Sequence, residues 1–230
     1  MENSPPLLVR FLPRRVASRI MGFLGRQPWP AFMLQPFLRW YVDRYDAKPE
    51  ESTKALEDYS TFLEFFTRPL QDGARACPED PKAIISPSDG RVSSCGRIES
   101  GQLLQIKNVW YSLAELLGSP AAAADLDGGS YMTIYLAPGD YHRFHWAVDG
   151  TVHEVRHIPG DLWPVNDAAV GGVRGLFAVN ERVAVFGKMA NGAPFAYVPV
   201  GALNVGSIKL SFHDIQTNRM FKKASPLADN

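Results

Sequence analysis

Long hydrophobic runs, cysteine and net charge are all scarce in this sequence. No uninterrupted apolar stretch reaches the roughly 18 residues that a membrane-spanning helix needs. Cys77 and Cys95 are too few for a disulfide framework and match no metal-binding spacing, so we expect two reduced thiols. Arg14, Arg15 and Arg19 fall where the apolar part of a secretory signal would lie, which argues against such a signal.

The net charge of zero hides an uneven distribution of charged residues. The 24 basic and 24 acidic residues cancel over the chain of 230 residues, which at first argues against a polyanionic partner. Residues 1–46, however, carry seven arginines and three acidic residues, whereas residues 47–208 are net acidic. A basic N-terminal segment, residues 1–46, therefore precedes an acidic segment, residues 47–208. Because 46% of the residues are apolar, the composition also excludes a disordered chain.

Residues 1–46 are predicted to form short amphipathic helices that associate with a membrane. Their apolar runs are brief and are separated by arginine and proline; these runs are Leu7–Leu12, Ile20–Leu24 and Ala31–Leu38. Arginines and aromatic rings on such helices suit the interface between lipid headgroups and water. Composition leaves open the alternative that these helices pack their apolar faces on the rest of the protein.

Residues 47–230 are predicted to form a mostly antiparallel β domain, so the fold class is α+β with the helices at the front. Eight apolar runs between turn signals indicate strands: Ala83–Ser86, Gly90–Ile98, Leu103–Val109, Tyr131–Ala137, Thr151–Ile158, Arg182–Phe186, Pro194–Val200 and Val205–Leu210. Capping boxes at Thr61–Glu64 and Ser112–Glu115 predict two short helices. Residues 46–58 are expected to be a solvated linker, and residues 118–130 a loop of small residues.

Two histidines stand close together after a predicted strand. His142 and His145 follow the apolar run that ends at Ala137 and the turn Pro138-Gly139. Side chains at such a strand end are often catalytic, because a rigid element holds them beside a loop. Their spacing also suits two metal ligands, with Glu154 or His157 as weak candidates for a third. A hydrogen-bonded surface cluster is the plainer alternative.

A tight turn upstream supplies an aspartate. Asp89 lies in the segment Ser86–Gly90, between two apolar runs, where an aspartate most often bonds its own backbone. An aspartate upstream of a histidine gains mechanistic meaning only when a nucleophile completes the set.

The order of the motifs resembles the phosphatidylserine decarboxylase family from about residue 60 to 208. The segments that carry the resemblance are Phe65–Leu70, Ser86–Gly90, Gln105–Lys107, Tyr111–Leu113, Asp140–His145, Ile158–Leu162, Leu176–Phe177, Asn180–Arg182, Val200–Ala202 and Val205–Ile208. Each segment alone is weak, whereas their succession in one order is specific.

The resemblance implies a carboxy-lyase of phospholipid biosynthesis that converts phosphatidylserine to phosphatidylethanolamine and CO₂. Decarboxylation leaves a carbanion that needs an electron sink. The family makes its sink by autocatalytic cleavage of a zymogen: a serine in a Gly-Ser-Thr motif becomes a covalent pyruvoyl group, which forms a Schiff base with the substrate. By resemblance, His145 is the base that activates this serine, Asp89 orients His145, and His142 acts near the substrate.

The sequence departs from the family in one respect, since it contains no Gly-Ser-Thr motif. We therefore expect the chain to be the β-chain portion, active only with an α chain that carries the pyruvoyl group. The expected partners are this α chain, phosphatidylserine and an anionic membrane surface, without nucleic acid; a homodimer is among the assemblies that the resemblance allows. The expected location is peripheral, on the cytoplasmic face of a bacterial membrane. No metal is expected.

Two other functions stay open on sequence grounds. One is an inactive relative that binds anionic lipid or a partner without chemistry, which the missing serine favours and the retained Asp89, His142 and His145 disfavour. The other is a metal hydrolase built on His142 and His145.

Overall fold

The computed structural model of the chain describes residues 12–80, 82–106 and 109–218. Within these ranges it has seven α-helices: α1 (Arg14–Arg26), α2 (Ala31–Tyr45), α3 (Phe62–Phe66), α4 (Leu113–Leu117), α5 (Pro120–Leu126), α6 (Asp167–Gly172) and α7 (Leu176–Val179). Its strands are β1 (Arg91–Arg97), β2 (Gln102–Ile106), β3 (Val109–Ser112), β4 (Ser130–Tyr135), β5 (Gly150–Ile158), β6 (Arg182–Met189) and β7 (Pro194–Tyr197). The predicted α+β class with N-terminal helices is confirmed. The predicted run Leu7–Leu12 lies outside the described residues except for Leu12.

The chain folds into two compact units that interleave along the sequence. The first unit comprises residues 1–21, 94–132 and 150–230, and the second comprises residues 22–93 and 133–149. The chain passes from one unit to the other within α1, between two residues of β1, and within β4. In the described part of the chain, no helix is long and apolar enough to cross a bilayer.

Antiparallel pairing dominates the first unit. β6 lies between β5 and β7, and its residues from Arg182 to Gly187 are buried, as expected for a central strand covered on both faces. β2 and β3 form a hairpin, and β1 pairs with β4 in a further two-stranded sheet. The apolar core of this unit includes Leu103, Leu117 and Phe186.

A separate aromatic core forms in the second unit. Leu34, Leu38 and Tyr41, on one face of α2, pack with Tyr59 and Phe65, and both Leu38 and Phe65 are completely buried. Pro36 lies within α2 without ending the helix. The alternative that the N-terminal helices pack on the protein is therefore confirmed for one face of α2.

Both predicted N-terminal caps form, and the one at Thr61 has a reciprocal bond from its glutamate. The amide of Glu64 donates to the Thr61 hydroxyl at 3.1 Å, and the Glu64 carboxylate accepts from the amide of Ser60. The amide of Glu115 donates to the Ser112 hydroxyl at 3.2 Å. These bonds satisfy amides that a helix start leaves unpaired, which explains why a local motif sufficed to predict both helices.

Two of the predicted loops contain regular structure. Residues 118–130 were expected to be a loop, yet α5 forms there, because Ser119 caps it, Pro120 suits the first turn and alanine favours helix. Residues 46–58 contain two 3₁₀ turns and the buried Ser52, whose hydroxyl lies 2.5 Å from that of Tyr59. The expectation of a solvated linker is thus wrong at Ser52.

Three of the predicted strands differ from the structure. The run Leu103–Val109 is not one strand: β2 ends at Ile106 and β3 begins at Val109, so the predicted run spans parts of two strands that pair as a hairpin. Residues 83–86 form no strand: the amide of Ala83 donates to the carbonyl of Asp80 in a local turn, and the amide of Ile85 donates to the carbonyl of Ala147. Residues 205–210 make only isolated bridges, because the Thr217 hydroxyl bonds the amide of Ile208 and the carbonyl of Gly206 in place of a neighbouring strand.

Candidate active site

The segment that carries both candidate histidines begins with a tight turn after β4. The amide of Asp140 donates to the carbonyl of Ala137 at 3.0 Å, and the Asp140 carboxylate accepts from the amide of Ala137 at 2.6 Å. An aspartate that bonds its own turn in this way fixes the direction in which the chain leaves the strand. Asp140 is therefore a structural residue of the segment.

Two side chains from the aromatic core of the second unit support the same turn. The hydroxyl of Tyr41 donates to the carbonyl of Pro138 at 2.6 Å, and Nη2 of Arg68 donates to the carbonyl of Gly139 at 3.1 Å. Arg68 is almost completely buried, with its guanidinium over the ring of Phe65. The turn before the histidines is thus anchored in the core, which gives the segment a rigid base.

His142 lies in an apolar environment. Its ring stacks on Phe66 with 3.9 Å between centroids and 22° between planes. Desolvation by burial lowers its pKa to about 4, opposed by the carbonyl of Pro138 and the charge of Asp140. Nε2 is buried and has no hydrogen-bond partner among the described residues. The imidazole is therefore neutral at pH 7 and presents a buried polar atom with unused bonding capacity.

His145 has different surroundings from His142. Its backbone amide donates to the carbonyl of Pro87 at 2.7 Å, which ties the histidine segment to the turn that contains Asp89. Its Nε2 lies 3.0 Å from the hydroxyl of Tyr141, and the two rings stack with 16° between their planes. Both the position of the backbone and the orientation of the ring are thereby fixed.

Asp89 occupies a turn that its neighbours hold closely. The Ser86 hydroxyl donates to the carbonyl of Ser88 at 2.6 Å. Gly90 has a φ of +125°, and a Cβ at this position would lie 2.4 Å from the carbonyl oxygen of Tyr135. Only glycine fits such a conformation and such a close approach. Gly90 is thus required for the turn to lie against β4.

The structure adds a partner for Asp89 that the sequence did not predict. Arg75 donates from Nε to Oδ1 at 2.8 Å and from Nη2 to Oδ2 at 2.6 Å, and its Nη2 also lies 2.7 Å from Oε2 of Glu51. This hydrogen bonding, together with the charge of Arg75, holds the pKa of Asp89 below its usual range. The two carboxylates in turn raise the pKa of Arg75. Asp89 is therefore ionised at neutral pH.

All three predicted site residues lie in the second unit, on two segments joined by backbone hydrogen bonds. Within the described residues, no hydrogen bond joins the side chains of Asp89 and His145. Tyr141 links them instead: its backbone amide bonds the Asp89 carboxylate, and its hydroxyl bonds His145. Tyr141 stands inside the motif Asp140–His145, so the sequence contained it, whereas Arg75 belongs to no motif and nothing in the sequence pointed to it.

A metal centre finds no support in the residues that the structure describes. No group of three or more histidine, cysteine, aspartate or glutamate side chains converges there on a point where an ion could bind. Glu154, one of the weak candidates, pairs with Arg156, and His157, the other, lies 2.8 Å from Glu181. Both belong to the first unit.

The N-terminal helices of the second unit leave a second surface exposed. Large apolar side chains of this unit are exposed at the end of α1 and along α2: Phe23, Leu24, Phe32, Met33 and Trp40. Phe32 is the most exposed, at 79%. Arg26, Arg39 and Arg44 are exposed on the same two helices. A protein surface that combines aromatic rings with arginine has the composition of a lipid-interface surface.

The fold and site are those of an α+β protein with an ionised aspartate and two histidines on adjoining segments. Comparison with known proteins identifies the family. The family model described as phosphatidylserine decarboxylase matches residues 62–226. The chain belongs to the phosphatidylserine decarboxylase family.

Relatives named phosphatidylserine decarboxylase proenzyme match most of the chain. The protein from Myxococcus xanthus is 40% identical over 211 residues, which cover 92% of this chain and 75% of the relative. The protein from Anaeromyxobacter sp. is 44% identical over 200 residues, covering 87% and 70%. A third, from Pseudomonas aeruginosa, is 42% identical over 202 residues, covering 86% and 68%.

Proposed function

We propose that this protein decarboxylates phosphatidylserine to phosphatidylethanolamine and CO₂ in phospholipid biosynthesis. One observation carries the proposal: within a chain of this family, Asp89, His142 and His145 lie on two adjoining segments of one compact unit. Asp89 and His142 differ in protonation state, since Asp89 is ionised and His142 is neutral, and acid–base chemistry needs groups of both kinds.

His145 is proposed as the general base of self-cleavage. In this role, its Nε2 takes the proton of a serine hydroxyl, and a carboxylate stabilises the imidazolium that results. Asp89 is the carboxylate proposed for this task. The short link from the amide of His145 to the carbonyl of Pro87 supports the assignment, because it fixes the histidine backbone two residues from Asp89.

His142 is proposed to act beside the substrate. The family implies a pyruvoyl group, and the buried, unpartnered Nε2 of His142 fits a position beside such a group, since it has bonding capacity that no described residue uses. When bound, a pyruvoyl group supplies a carbonyl that accepts the electron pair left by departing CO₂. His142 holds or delivers a proton at Nε2, and the ring of Phe66 keeps water from one face of the imidazole.

The pyruvoyl group is proposed to come from a separate α chain. The sequence contains no Gly-Ser-Thr motif, so the serine that His145 would activate belongs to another segment. The proenzyme names of the relatives support such a pairing. Homodimerisation stays a prediction, which sedimentation velocity of the purified protein would test.

The exposed surface of α2 and the end of α1 is proposed to bind the membrane. The substrate is an anionic lipid, and aromatic side chains with arginines at the bilayer surface would hold the enzyme beside it. We place the protein peripherally, on the cytoplasmic face of a bacterial membrane. Since one face of α2 packs in the core through Leu34 and Leu38, the helix presents its opposite face to lipid.

The activity is tested on protein purified after expression of the whole reading frame from its native locus. We expect mass spectrometry to find a chain with an N-terminal pyruvoyl group, and phosphatidylserine vesicles to yield phosphatidylethanolamine. Asp89→Asn and His145→Gln should leave the precursor uncleaved, whereas Asp149→Asn, which alters an exposed aspartate of the same unit, should be processed normally. Processed protein that forms no phosphatidylethanolamine would refute the proposal. Vesicle binding without any decarboxylation would favour the inactive lipid-binding relative.

Membrane binding is tested by vesicle sedimentation with and without anionic lipid. Phe32→Ser and Trp40→Ser together should weaken binding about tenfold or more, because each ring removed forfeits apolar burial in the interface. Ile84→Ser is the matched control, since Ile84 is 68% exposed in the same unit but lies outside the helices. Equal loss of binding in both variants would contradict the assigned surface.

A further inference from the structure

Tyr141 touches both candidate members of the acid–base pair, although no motif argument gave it a role. Its hydroxyl lies 3.0 Å from Nε2 of His145, its ring stacks on that histidine with 5.7 Å between centroids, and its backbone amide bonds Asp89. Tyr141 is only 8% exposed, so these contacts are part of the packed structure of the second unit.

The direction of the hydrogen bond follows from the partners available. Within the described residues, the Tyr141 hydroxyl has no hydrogen-bond partner except Nε2 of His145. Desolvation by burial, followed by the neighbouring charge of Asp89, raises the pKa of Tyr141 against the influence of Arg143, so the phenol keeps its proton. A phenol hydroxyl with no other acceptor among the described residues donates its proton to Nε2, and this nitrogen is then the unprotonated atom of the ring.

The consequence concerns which ring nitrogen carries the proton. When Nε2 accepts a hydrogen bond, the proton of the neutral imidazole lies on Nδ1. A base that is to take a proton at Nε2 needs this tautomer, with Nδ1–H directed to a carboxylate. Without the tyrosine hydroxyl, nothing described in the structure would select between the two nitrogens of His145.

We propose that Tyr141 is a positioning residue that holds His145 in the Nδ1–H tautomer, with the lone pair of Nε2 ready to accept a proton. The stacked ring fixes the plane of the imidazole, and the hydroxyl fixes its tautomer. A serine hydroxyl approaching Nε2 replaces the tyrosine hydroxyl as hydrogen-bond partner, and the imidazole is then already in the required form. The positioning role of Tyr141 in self-cleavage rests on the proposed function, whereas the assignment of the His145 tautomer does not.

The test uses long-range ¹H–¹⁵N spectra of the ¹⁵N-labelled chain at a pH where His145 is neutral, with its signals assigned by comparison with His145→Gln. We expect the Nδ1–H tautomer in the unmodified protein, and a shift of the tautomer ratio by about tenfold towards Nε2–H in Tyr141→Phe, which keeps the ring and loses the hydroxyl. The control is Tyr131→Phe, which removes a hydroxyl that bonds Ser94 and Leu104 in the first unit. Its tautomer ratio should not change.

The outcomes separate this inference from the proposed function. An Nε2–H tautomer in the unmodified protein, or an unchanged ratio in Tyr141→Phe, overturns the inference whatever the activity. The expected tautomer shift, found together with a processed protein that does not decarboxylate, refutes the function and leaves the inference standing. If the inference and the proposed function both hold, Tyr141→Phe in the whole precursor should slow self-cleavage about tenfold and leave the KM for phosphatidylserine unchanged.

Discussion

Arg75 binds Asp89 through two parallel hydrogen bonds, from Nε to Oδ1 at 2.8 Å and from Nη2 to Oδ2 at 2.6 Å. This two-pronged geometry fixes the plane of the carboxylate as well as its charge. Glu51 bonds the same guanidinium, so the arginine is itself held in place. The orientation of Asp89 therefore depends on a residue 14 positions away in the sequence.

Removal of Arg75 should weaken the protein at neutral pH and less so in acid. The pKa of Asp89 is lower in the folded protein than in the unfolded chain, so its contribution to stability exists above the unfolded pKa and is lost as the pH falls through the folded pKa. Because Arg75 is partly exposed, we expect Arg75→Gln to cost only about 1 kcal/mol of unfolding free energy at pH 7. Urea unfolding at pH 7 and at about pH 2, which is below the unfolded pKa of Asp89, measures the difference.

The matched control for this variant is Arg39→Gln. Arg39 pairs with Glu57 on the exposed face of α2, where both side chains are mostly solvated. We expect a change below about 0.5 kcal/mol and little dependence on pH. Equal effects of the two substitutions would show that the pairing with Asp89 contributes no more than an ordinary surface ion pair.

The partly buried His142 should make the protein less stable below pH 6.5. Its folded pKa, about 4, lies below the ordinary value of 6.5, so the unfolded chain takes up a proton first as the pH falls. Between pH 7.5 and pH 5, we expect a loss of about 2 kcal/mol from this group. Urea unfolding across this range, with His142→Gln for comparison, isolates its share. An NMR titration that placed the pKa of His142 near 6.5 would contradict the assignment.

Phe65 should be among the most costly residues to truncate. It is completely buried at the centre of the aromatic core, against Tyr41 and Tyr59, and its ring also lies beneath the Arg68 guanidinium. Phe65→Ala leaves a cavity and should cost about 3–5 kcal/mol of unfolding free energy. Phe32→Ala, at an exposed position of the same unit, should change it by less than about 0.5 kcal/mol. Thermal and urea unfolding of both variants provide the comparison.

Gly139 should not tolerate a side chain. A Cβ there would lie 2.1 Å from the carbonyl oxygen of Tyr45, and the neighbouring backbone cannot yield as a flexible side chain would. We expect Gly139→Ala to destabilise the protein by about 3 kcal/mol and to displace the turn that precedes His142. In Gly25→Ala, the new methyl group would meet Phe62 at an ordinary 3.6 Å, so this helical substitution should stabilise by up to about 1 kcal/mol. Urea unfolding distinguishes the two, and equal effects would refute the steric argument.

Local motifs predicted those elements whose causes are local. The helices that begin at Phe62 and Leu113 depend on side chains within three residues of their starts, so the sequence was sufficient. The strand at residues 205–210 failed because the partner of its backbone groups is Thr217, a side chain that the pattern of apolar residues does not register. An alternation of apolar residues reports burial, whereas strand formation also needs a paired backbone.

The candidate site likewise has features that the sequence predicts and features that depend on contacts distant in the sequence. His142 and His145 look alike in the sequence, yet His142 packs against Phe66, where partial burial keeps it neutral, while Tyr141 gives His145 a hydrogen-bond partner. The sequence was sufficient to predict Asp89 as a candidate residue, from its turn and its motif. The sequence could not predict Arg75, because its hydrogen bond to Asp89 depends on the tertiary structure that brings these two residues together.

By itself, the sequence determined the family and the α+β class, and it supplied Asp89, His142 and His145 as the proposed site residues, since these inferences depend on the order of motifs and on local hydrogen bonding. Only the tertiary structure decided the charge state and the partners of those residues, because pKa values and ring orientations depend on burial and on groups distant in sequence. It also decided which face of α2 is buried and which is exposed. The composition of the helix supports packing and membrane contact equally, and packing with Tyr59 and Phe65 assigns one face to the core and leaves the other to solvent.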